Sequence, residues 1–480
     1  MTNISGVPFI HLFKSPKCCY FFDVNKNELV RVNEETYIWL QAMLREKRAL
    51  TDRADIPAEA ASLMESGYLS DYHVEVIRHP MTDDLKVVLE RRVTKLTFQL
   101  TQACNFRCAY CSFTASDGSQ RSHSTKHMTW DMIERGLLFL RDHSIDAPEI
   151  NIGFYGGEPL LRFDILKQTV EYASKLFFGK TIEYFITTNA TLLNEEILAF
   201  FSKYEFNMTI SIDGTKESHD KNRVFADGSG GTFDAVIGKL LYIRDNYPKY
   251  RKKVSLNMVL DPSFDFDLFE DLFRKNPKLR SMIVMSSLID DDDLLQKNIF
   301  SDQYTKKVEY QNFLSYLVAL GKTPHNHMSK VLESNPAFLV DNVKKLFFSL
   351  EKLPRTSAPS GPCMPGEERL MLTVDGKLIV CERVNEISDC MIMGDIENGF
   401  DLEKAQALLN VAKVTADSCK ACWAFYACNQ CAKLADERGI LTADARLKQC
   451  DNTRYNFERI LRNKAFFEEA QLFYGQGSPV

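Results

Sequence analysis

The stretch Lys95-Leu-Thr-Phe-Gln-Leu-Thr101, followed at once by Cys104-Asn-Phe-Arg-Cys108-Ala-Tyr-Cys111, decides how this chain is read. The first run is strand-like, and the second offers three thiolates from one short loop. Three thiolates on a [4Fe–4S] cube leave one iron open to a small chelating molecule that can receive an electron. The loop therefore points to a reaction rather than to a scaffold. A structural zinc would want four closed ligands, usually two CxxC-like pairs, and no fourth partner lies nearby in the sequence.

Downstream, strand-like runs near 149–155, 182–188, 207–212, 253–260 and 280–286 alternate with helical patterns such as Trp130–Asp142 and Phe233–Asp245. With 95–101 they make six units, and alternating strands and helices imply a parallel sheet joined by helical crossovers. The run ending at Tyr155 passes into Gly156-Gly157-Glu158-Pro159, by itself a plain Gly-Gly turn. The next two end in Thr188-Asn189 and in Ser211-Ile212-Asp213-Gly214, and His219–Arg223 follows. Polar residues at strand ends commonly cap the next helix.

With this loop, the aromatic Tyr110 before its last cysteine and these strand ends, the chain resembles the radical S-adenosylmethionine (SAM) enzymes. The resemblance implies a partial (β/α)6 barrel over residues 91–287, with active residues at the strand C-termini. It implies SAM chelated to the open iron of the Cys104/Cys108/Cys111 cluster and cleaved to a 5′-deoxyadenosyl radical. It sets Tyr110 against the adenine and the turn Gly156, Gly157, Glu158, Pro159 at the methionine amino group, with Glu158 as counter-charge. Thr188, Ser211 and Asp213 fall at the ribose, and Arg223 pairs with the SAM carboxylate.

The C-terminal third carries Cys363, Cys381, then Cys419-x₂-Cys422-x₅-Cys428-x₂-Cys431, and Cys450. Gly376, within Thr373–Val380, fits a tight hairpin turn that brings Cys363 and Cys381 together. The two CxxC pairs alone also suit a zinc ribbon. Residues 361–480 resemble the SPASM extension of radical SAM peptide maturases, an iron–sulfur domain with two auxiliary clusters. That resemblance puts Cys419, Cys422, Cys428 and Cys450 on an outer cluster, fully ligated, and Cys363, Cys381 and Cys431 on an inner one with three ligands. The run departs from the family's usual spacing at its last interval, and no extra cysteine follows Cys363. Cys390, close in sequence to Cys381, is the one internal candidate for a fourth inner ligand. Cys18 and Cys19, in an apolar strand-like run, suit a packed core.

The first 90 residues read as three short strands, Phe9–Phe13, Tyr20–Val24 and Glu28–Val32, with a turn at Asn25–Asn27 and helical text at Glu34–Arg48 and Ala58–Ser66. They resemble the winged-helix-like α+β PqqD-type domain, which binds a leader peptide by adding it as a strand to its sheet edge. Residues 288–360 break the βα rhythm as a mainly helical bridging segment, with Asp290–Asp293 as a solvated loop.

Length, 480 residues, suits about three domains, and a net charge of −6 gives no basic face for nucleic acid. No apolar stretch approaches membrane-spanning length, the start Met1–Ser5 lacks a signal-peptide pattern, and 13 cysteines in a cytosolic chain argue for metal thiolates over disulfides. The expectation is a cytoplasmic radical SAM peptide maturase, closest to thioether-forming SCIFF and ranthipeptide types, with three [4Fe–4S] clusters and SAM. Its partners are a precursor peptide, with leader on the N-terminal domain and core cysteine at the inner cluster, and an external one-electron reductant such as flavodoxin or ferredoxin. The alternatives are a sulfatase-type maturase making formylglycine, a carbon–carbon crosslinking maturase, and, from another class, a non-catalytic iron–sulfur or peptide-binding module.

Overall fold

A computed structural model describes residues 6–47, 56–115, 118–291, 294, 296–333 and 345–474. The predicted signal-free start Met1–Ser5, Arg48 at the end of the first predicted helix, Asp292 and Asp293 of the acidic loop, and 334–344 of the bridging segment lie outside them.

The chain begins with an antiparallel sheet of β1 (Ile10–Lys14), β2 (Cys19–Asp23) and β3 (Glu28–Val32), in that order. Strand alternation sends Ile10, Cys19, Phe21 and Val32 to one face, where Tyr37, Leu40 and Met43 of α1 (Glu34–Glu46) cover them. Phe13, Tyr20 and Phe22 go to the other face and pack on Phe425, Phe457 and Leu461. Both faces are closed, the second by the C-terminal helix Cys450–Tyr474 and the segment before it, so this sheet is anchored to the distant end of the chain. Helix α2 (Ala58–Glu65) and the two-residue β4 (Val76–Ile77) follow, and α3 (Leu85–Arg91) leads into the barrel.

The barrel strands are β5 (Lys95–Thr101), β6 (Glu149–Gly156), β7 (Thr181–Thr188), β8 (Asn207–Ser211), β9 (Val254–Leu260) and β10 (Ile283–Leu288), parallel and adjacent in sequence order. Between them run α4 (Trp130–His143), α5 (Phe163–Leu176), α6 (Glu195–Lys203), α7 (Lys216–Asn222), α8 (Phe233–Asn246) and α9 (Asp267–Lys275). In α4, Ile133, Gly136, Leu137 and Leu140 recur at helical spacing and are buried, while Thr129 accepts the Met132 amide as N-cap. The last strand begins three residues later than predicted, because Pro277–Ser281 folds into a short 3₁₀ turn.

Among its described residues, the bridging segment holds one long helix, α10 (Asp302–Ala319), and a short strand, β11 (Thr356–Ser357), parallel to β4. Beyond it, β12 (Met371–Leu372) adds to the free edge of β5, pairing Met371 with Thr97 and Leu372 with Phe98. Gly376, at φ +81°, turns the chain into the antiparallel β13 (Lys377–Ile379), and β14 (Ile392–Asp395) and β15 (Gly399–Phe400) extend the sheet to ten strands. The C-terminal hairpin thus continues the barrel sheet. Among the described residues no helix is long and apolar enough to cross a membrane.

Asp23 tests the N-terminal packing. Its wholly buried carboxylate accepts the Lys26 amide at 2.9 Å and the Leu69 amide at 2.8 Å, pinning the β2–β3 turn. Burial raises its carboxyl from 3.8 to about 6, against those hydrogen bonds. As pH climbs from about 4 to 6, the unfolded chain releases this proton while the folded chain holds it, so the folded state loses about 3 kcal/mol of stability through this group. Melting curves should therefore show the advantage of wild type over Asp23→Asn shrinking between pH 4 and pH 7. A gap that stays constant would contradict the burial argument.

Candidate active site

The C-terminal ends of the barrel strands and the loop after β5 enclose a cavity of about 260 Å³. Its wall carries Cys104, Cys108 and Cys111 together with Tyr110, Gly156, Gly157, Glu158, Thr188, Ser211 and Arg223. Pro159 and Asp213, predicted with them, are buried behind the wall. Tyr155, Phe113, His123 and Thr187 also line it; no spacing rule marked them, although Tyr155 and Thr187 adjoin predicted positions.

Backbone packing brings the cysteine loop to the strand ends. Gly157 donates its amide to Thr101 O at 2.8 Å, and Glu158 donates to Ala103 O at 2.9 Å. A Cβ on Gly156, whose φ is +133°, would meet the Thr101 carbonyl oxygen at 2.1 Å, and one on Gly157 the Ala103 oxygen at 2.0 Å. The two glycines seat the loop on the end of β6, a demand separate from the predicted approach to a methionine amino group.

Glu158 joins β6 to β7. Its carboxylate, 1% exposed, accepts Thr188 Oγ1 at 2.7 Å and the amides of Asn189 and Leu160 at 2.8 and 3.0 Å. Burial lifts its carboxyl to about 7 despite these donors. Asp213 is also committed to the protein. It takes Arg223 Nε at 2.7 Å, the Tyr110 hydroxyl at 2.5 Å and the Val259 amide at 2.9 Å. It therefore holds Arg223 and Tyr110 from behind, where sequence reading put it at the ribose. Tyr110 keeps its ring on the cavity wall with its hydroxyl tied down. Arg223 Nη1 stands 3.9 Å from Cys108 Sγ.

Burial pushes the Cys104 thiol up to about 12 and the Cys108 thiol up to about 11, the latter against the pull of Arg223. Thiols in this state bind a metal cluster by giving up protons to it. Among the described residues no three cysteine, histidine or carboxylate side chains close on a single metal ion, whereas the three loop thiols share one cavity of polar and apolar wall. The donor set fits an iron–sulfur cube.

Two further thiol groups lie in the C-terminal region. Cys419, Cys422, Cys428 and Cys450 line a second cavity of about 280 Å³, and Cys431 is not among its walls, so the run does not fold as two facing CxxC pairs. Donors surround these sulfurs. Thr415 Oγ1 lies 3.3 Å from Cys419 Sγ, Gln430 Nε2 3.7 Å from Cys450 Sγ, and the buried Arg446 Nη2 4.0 Å from Cys428 Sγ. Such donors favour thiolates and tune a bound cluster. Cys431 instead acts electrostatically on Cys363 and on Cys381. Gly361 makes this possible, since a Cβ there would meet Gln430 O at 2.0 Å. Cys390 Sγ meets Ser388 Oγ at 3.3 Å and Asp436 Oδ1 at 3.5 Å, and those two groups, not the cysteine trio, act on it most after burial.

A buried ion pair ties the regions together. Arg121 Nη2 donates to Glu386 Oε1 at 2.9 Å, Gln99 Nε2 of β5 donates to Glu386 Oε2 at 2.7 Å, and the Arg121 guanidinium stacks 3.8 Å over Phe113 on the cavity wall.

Gly157→Ala isolates the seating of the loop. Reconstituted variant should retain about four fewer irons per chain, because the other two thiol groups are untouched. Unchanged iron content would refute the seating role.

Residues 98–275 match the model of the radical SAM superfamily. The chain is 32% identical over 158 residues to the cysteine-type anaerobic sulfatase-maturating enzyme of Clostridium novyi, covering 32% of this chain and 40% of that one. It is 31% identical over 123 residues to the serine-type enzyme of Bacteroides thetaiotaomicron, covering 25% and 29%. It spans about half the length, or less, of the curated relatives it matches. The solved structure of native anSMEcpe with bound AdoMet superposes with a TM-score of 0.54 at 19% identity, covering 77% of this chain and 98% of that chain, a likeness of fold. The chain thus carries a radical SAM domain, homologous to that of anaerobic sulfatase-maturating enzymes.

Proposed function

We propose that the protein is a radical SAM peptide maturase that forms a thioether between a cysteine of a ribosomally made precursor and a carbon elsewhere in that peptide. The observation that carries this reading is the inner trio. Cys363, Cys381 and Cys431 stand together, and Cys390, the one internal candidate for a fourth ligand, is engaged by Ser388 and Asp436. Three thiols suit a group that takes four, and the precursor's cysteine is the proposed fourth.

Cys104, Cys108 and Cys111 would hold a [4Fe–4S] cluster which, with SAM, would supply the radical chemistry that removes an unactivated hydrogen. The chain's own residues hold the parts in place. Asp213 orients Arg223 and Tyr110 toward SAM, Glu158 fixes the ends of β6 and β7, and the C-terminal hairpin on β5 carries the trio to the same barrel. Holding the cysteine near the radical turns the bond-forming step into an intramolecular one. Two further roles are proposed: an outer cluster on Cys419, Cys422, Cys428 and Cys450, and leader binding along the outer strands of the N-terminal sheet, β1 and β3. An external one-electron reductant completes the system.

The relatives named for sulfatase maturation favour a second reading, oxidation of a cysteine or serine to formylglycine. Mass spectrometry of a cysteine-rich peptide encoded beside the gene separates the two. A thioether removes two hydrogens per link and blocks thiol alkylation after reduction, whereas formylglycine yields an aldehyde.

Replacing Cys104, Cys108 and Cys111 together by Ala should abolish 5′-deoxyadenosine formation and lower iron by about four from a total near twelve. Continued SAM cleavage in that variant would end the radical SAM reading. Cys381→Ala should stop crosslinking while SAM cleavage persists, and Cys390→Ala should leave crosslinking largely intact. The reverse sensitivity would remove the open inner site.

A further inference from the structure

The cavity of the four outer thiols is lined by two guanidinium groups, Arg446 and Arg454, and among the described residues no aspartate or glutamate lines it. Arg446, on the short helix Ala443–Leu447, is 1% exposed. Its donors all go to neutral oxygens or to sulfur. Nε donates to Thr415 Oγ1 at 3.2 Å, Nη1 donates to Gln430 O at 3.1 Å, and Nη2 lies 4.0 Å from Cys428 Sγ. Arg223 has Asp213 and Arg121 has Glu386, whereas among the described residues no carboxylate pairs with Arg446. A guanidinium does not shed its proton, so burial cannot neutralise it. Left without an anion at this depth the charge is strongly destabilising. The neighbours able to carry negative charge are the cysteines, and Arg446 opposes the effect of burial on Cys428 as Arg454 does on Cys422. Arg454 also pairs with Asp451, whose carboxylate stands almost wholly in solvent.

The inner trio is surrounded differently. Glu368 acts on Cys363 and Glu382 on Cys381, with Arg369 opposing both. Arg369 is itself paired with Glu382, and the mostly exposed Arg383 lies 3.9 Å from the same carboxylate. Carboxylates and cations are thus matched at the inner trio, while the outer four face a buried cation that no carboxylate balances. That donor set, four sulfurs around a cation awaiting an anion, fits the anionic iron–sulfur group proposed for it. Only Asn429 and Gln430 separate Cys428 from Cys431, so the Cα atoms of these two cysteines lie within about 11 Å of each other. At that spacing, a difference in potential between the two groups decides how electrons divide between them.

We propose that Arg446 is the counter-cation of the group held by Cys419, Cys422, Cys428 and Cys450, and that it sets the reduction potential of this group above that of the group held by Cys363, Cys381 and Cys431. The proposal rests on the outer-cluster reading above and adds the order of reduction. An incoming electron adds negative charge, so a fixed guanidinium beside the sulfurs stabilises the reduced form over the oxidised one, and buried charges are little screened. Arg446 acts through the sulfurs and touches no substrate. Its effect is therefore read as a potential.

The test uses the full-length, cluster-reconstituted protein carrying Cys104→Ala, Cys108→Ala and Cys111→Ala, with 2-mercaptoethanol present to fill the fourth inner position. A mediated dithionite titration followed by electron paramagnetic resonance should show two one-electron steps from about eight irons. Adding Cys419→Ala and Cys422→Ala should remove about four irons and the step at higher potential. In Arg446→Met and Arg446→Gln the ratio of reduced to oxidised form at the original higher midpoint should fall about tenfold, a downward shift of about 59 mV, with the lower step in place. Arg446→Lys keeps the charge and should hold the higher step near its original position. The proposal is overturned if the step lost with Cys419 and Cys422 is the lower one, or if the higher step stays put in the neutral variants. An equal shift in Arg446→Lys and Arg446→Met also overturns it, since packing would then be the cause. Neutral variants that lose the outer irons while Arg446→Lys keeps them uphold the counter-cation, and loss in all three overturns it. Iron that does not fall on replacing Cys419 and Cys422 sinks the outer-cluster reading itself, and the proposal with it.

Discussion

The two-residue pairing of β12 with β5 is the constraint on which the spatial logic of the chain depends. Met371 and Leu372 lie beside Thr97 and Phe98, and the Thr97 amide donates to Leu370 O at 2.8 Å. The same strand that ends in the Cys104 loop therefore also carries, along its edge, the hairpin that leads to Cys381. Two groups of thiols more than 250 residues apart in sequence are held by one backbone ladder, whose hydrogen bonds fix register as well as proximity. Leu372 and Phe98 are both fully buried, and both press on Gly136 of α4, where a Cβ would meet Phe98 at 2.6 Å and Leu372 at 2.7 Å. A glycine in a helix interior costs about 1 kcal/mol relative to alanine. Here it lets the hairpin and the first barrel strand share one layer of core.

Around the loop thiols and the outer four the protein supplies donors, whereas at the inner trio Glu368 acts on Cys363 and Glu382 on Cys381. Arg223 faces Cys108, and Thr415, Gln430 and Arg446 face the outer four. Carboxylates near the SAM cavity are held by other partners, Asp213 by Arg223 and Glu158 by Thr188 and two amides. An array of thiolates is highly anionic, so an additional free carboxylate in the same low-dielectric cavity would oppose cluster loading. Asp213 and Glu158 serve the site by holding cationic and neutral groups toward it.

How far the sequence foretells this depends on whether a feature is local. Parallel strands are legible because each alternates over five or more residues and ends in a turn signal, as in Glu149–Gly156. The cysteine loop and the Gly156-Gly157 turn are legible because their spacing is short. The junction of Gly361 with Gln430, which joins Cys363 to Cys431, is a contact of two loops with no periodicity. Asp213 shows the same limit. Its place at a strand end is readable, but the three donors it meets come from three segments, at 110, 223 and 259, that only the fold assembles. The N-terminal strands could be read as three, yet not that their second face is closed by Phe457 and Leu461 from the far end of the chain.

That closure has a mechanical consequence. Phe13, Tyr20 and Phe22 of the N-terminal sheet pack in the same cluster as Trp423, which follows Cys422, and His11 stacks on the Trp423 ring at 3.6 Å between centroids. A peptide added to the sheet edge would therefore pull on a surface continuous with the outer thiols. At the barrel the Arg121–Glu386 pair links the segment after Cys381 to the wall of the SAM cavity through Phe113. An ion pair with side chains about a tenth exposed or less is poorly screened and rigid in direction. The N-terminal sheet, the outer thiols and the SAM cavity are thus tied to the rest of the chain by packed aromatic rings and one buried salt bridge, contacts that close packing makes resistant to deformation.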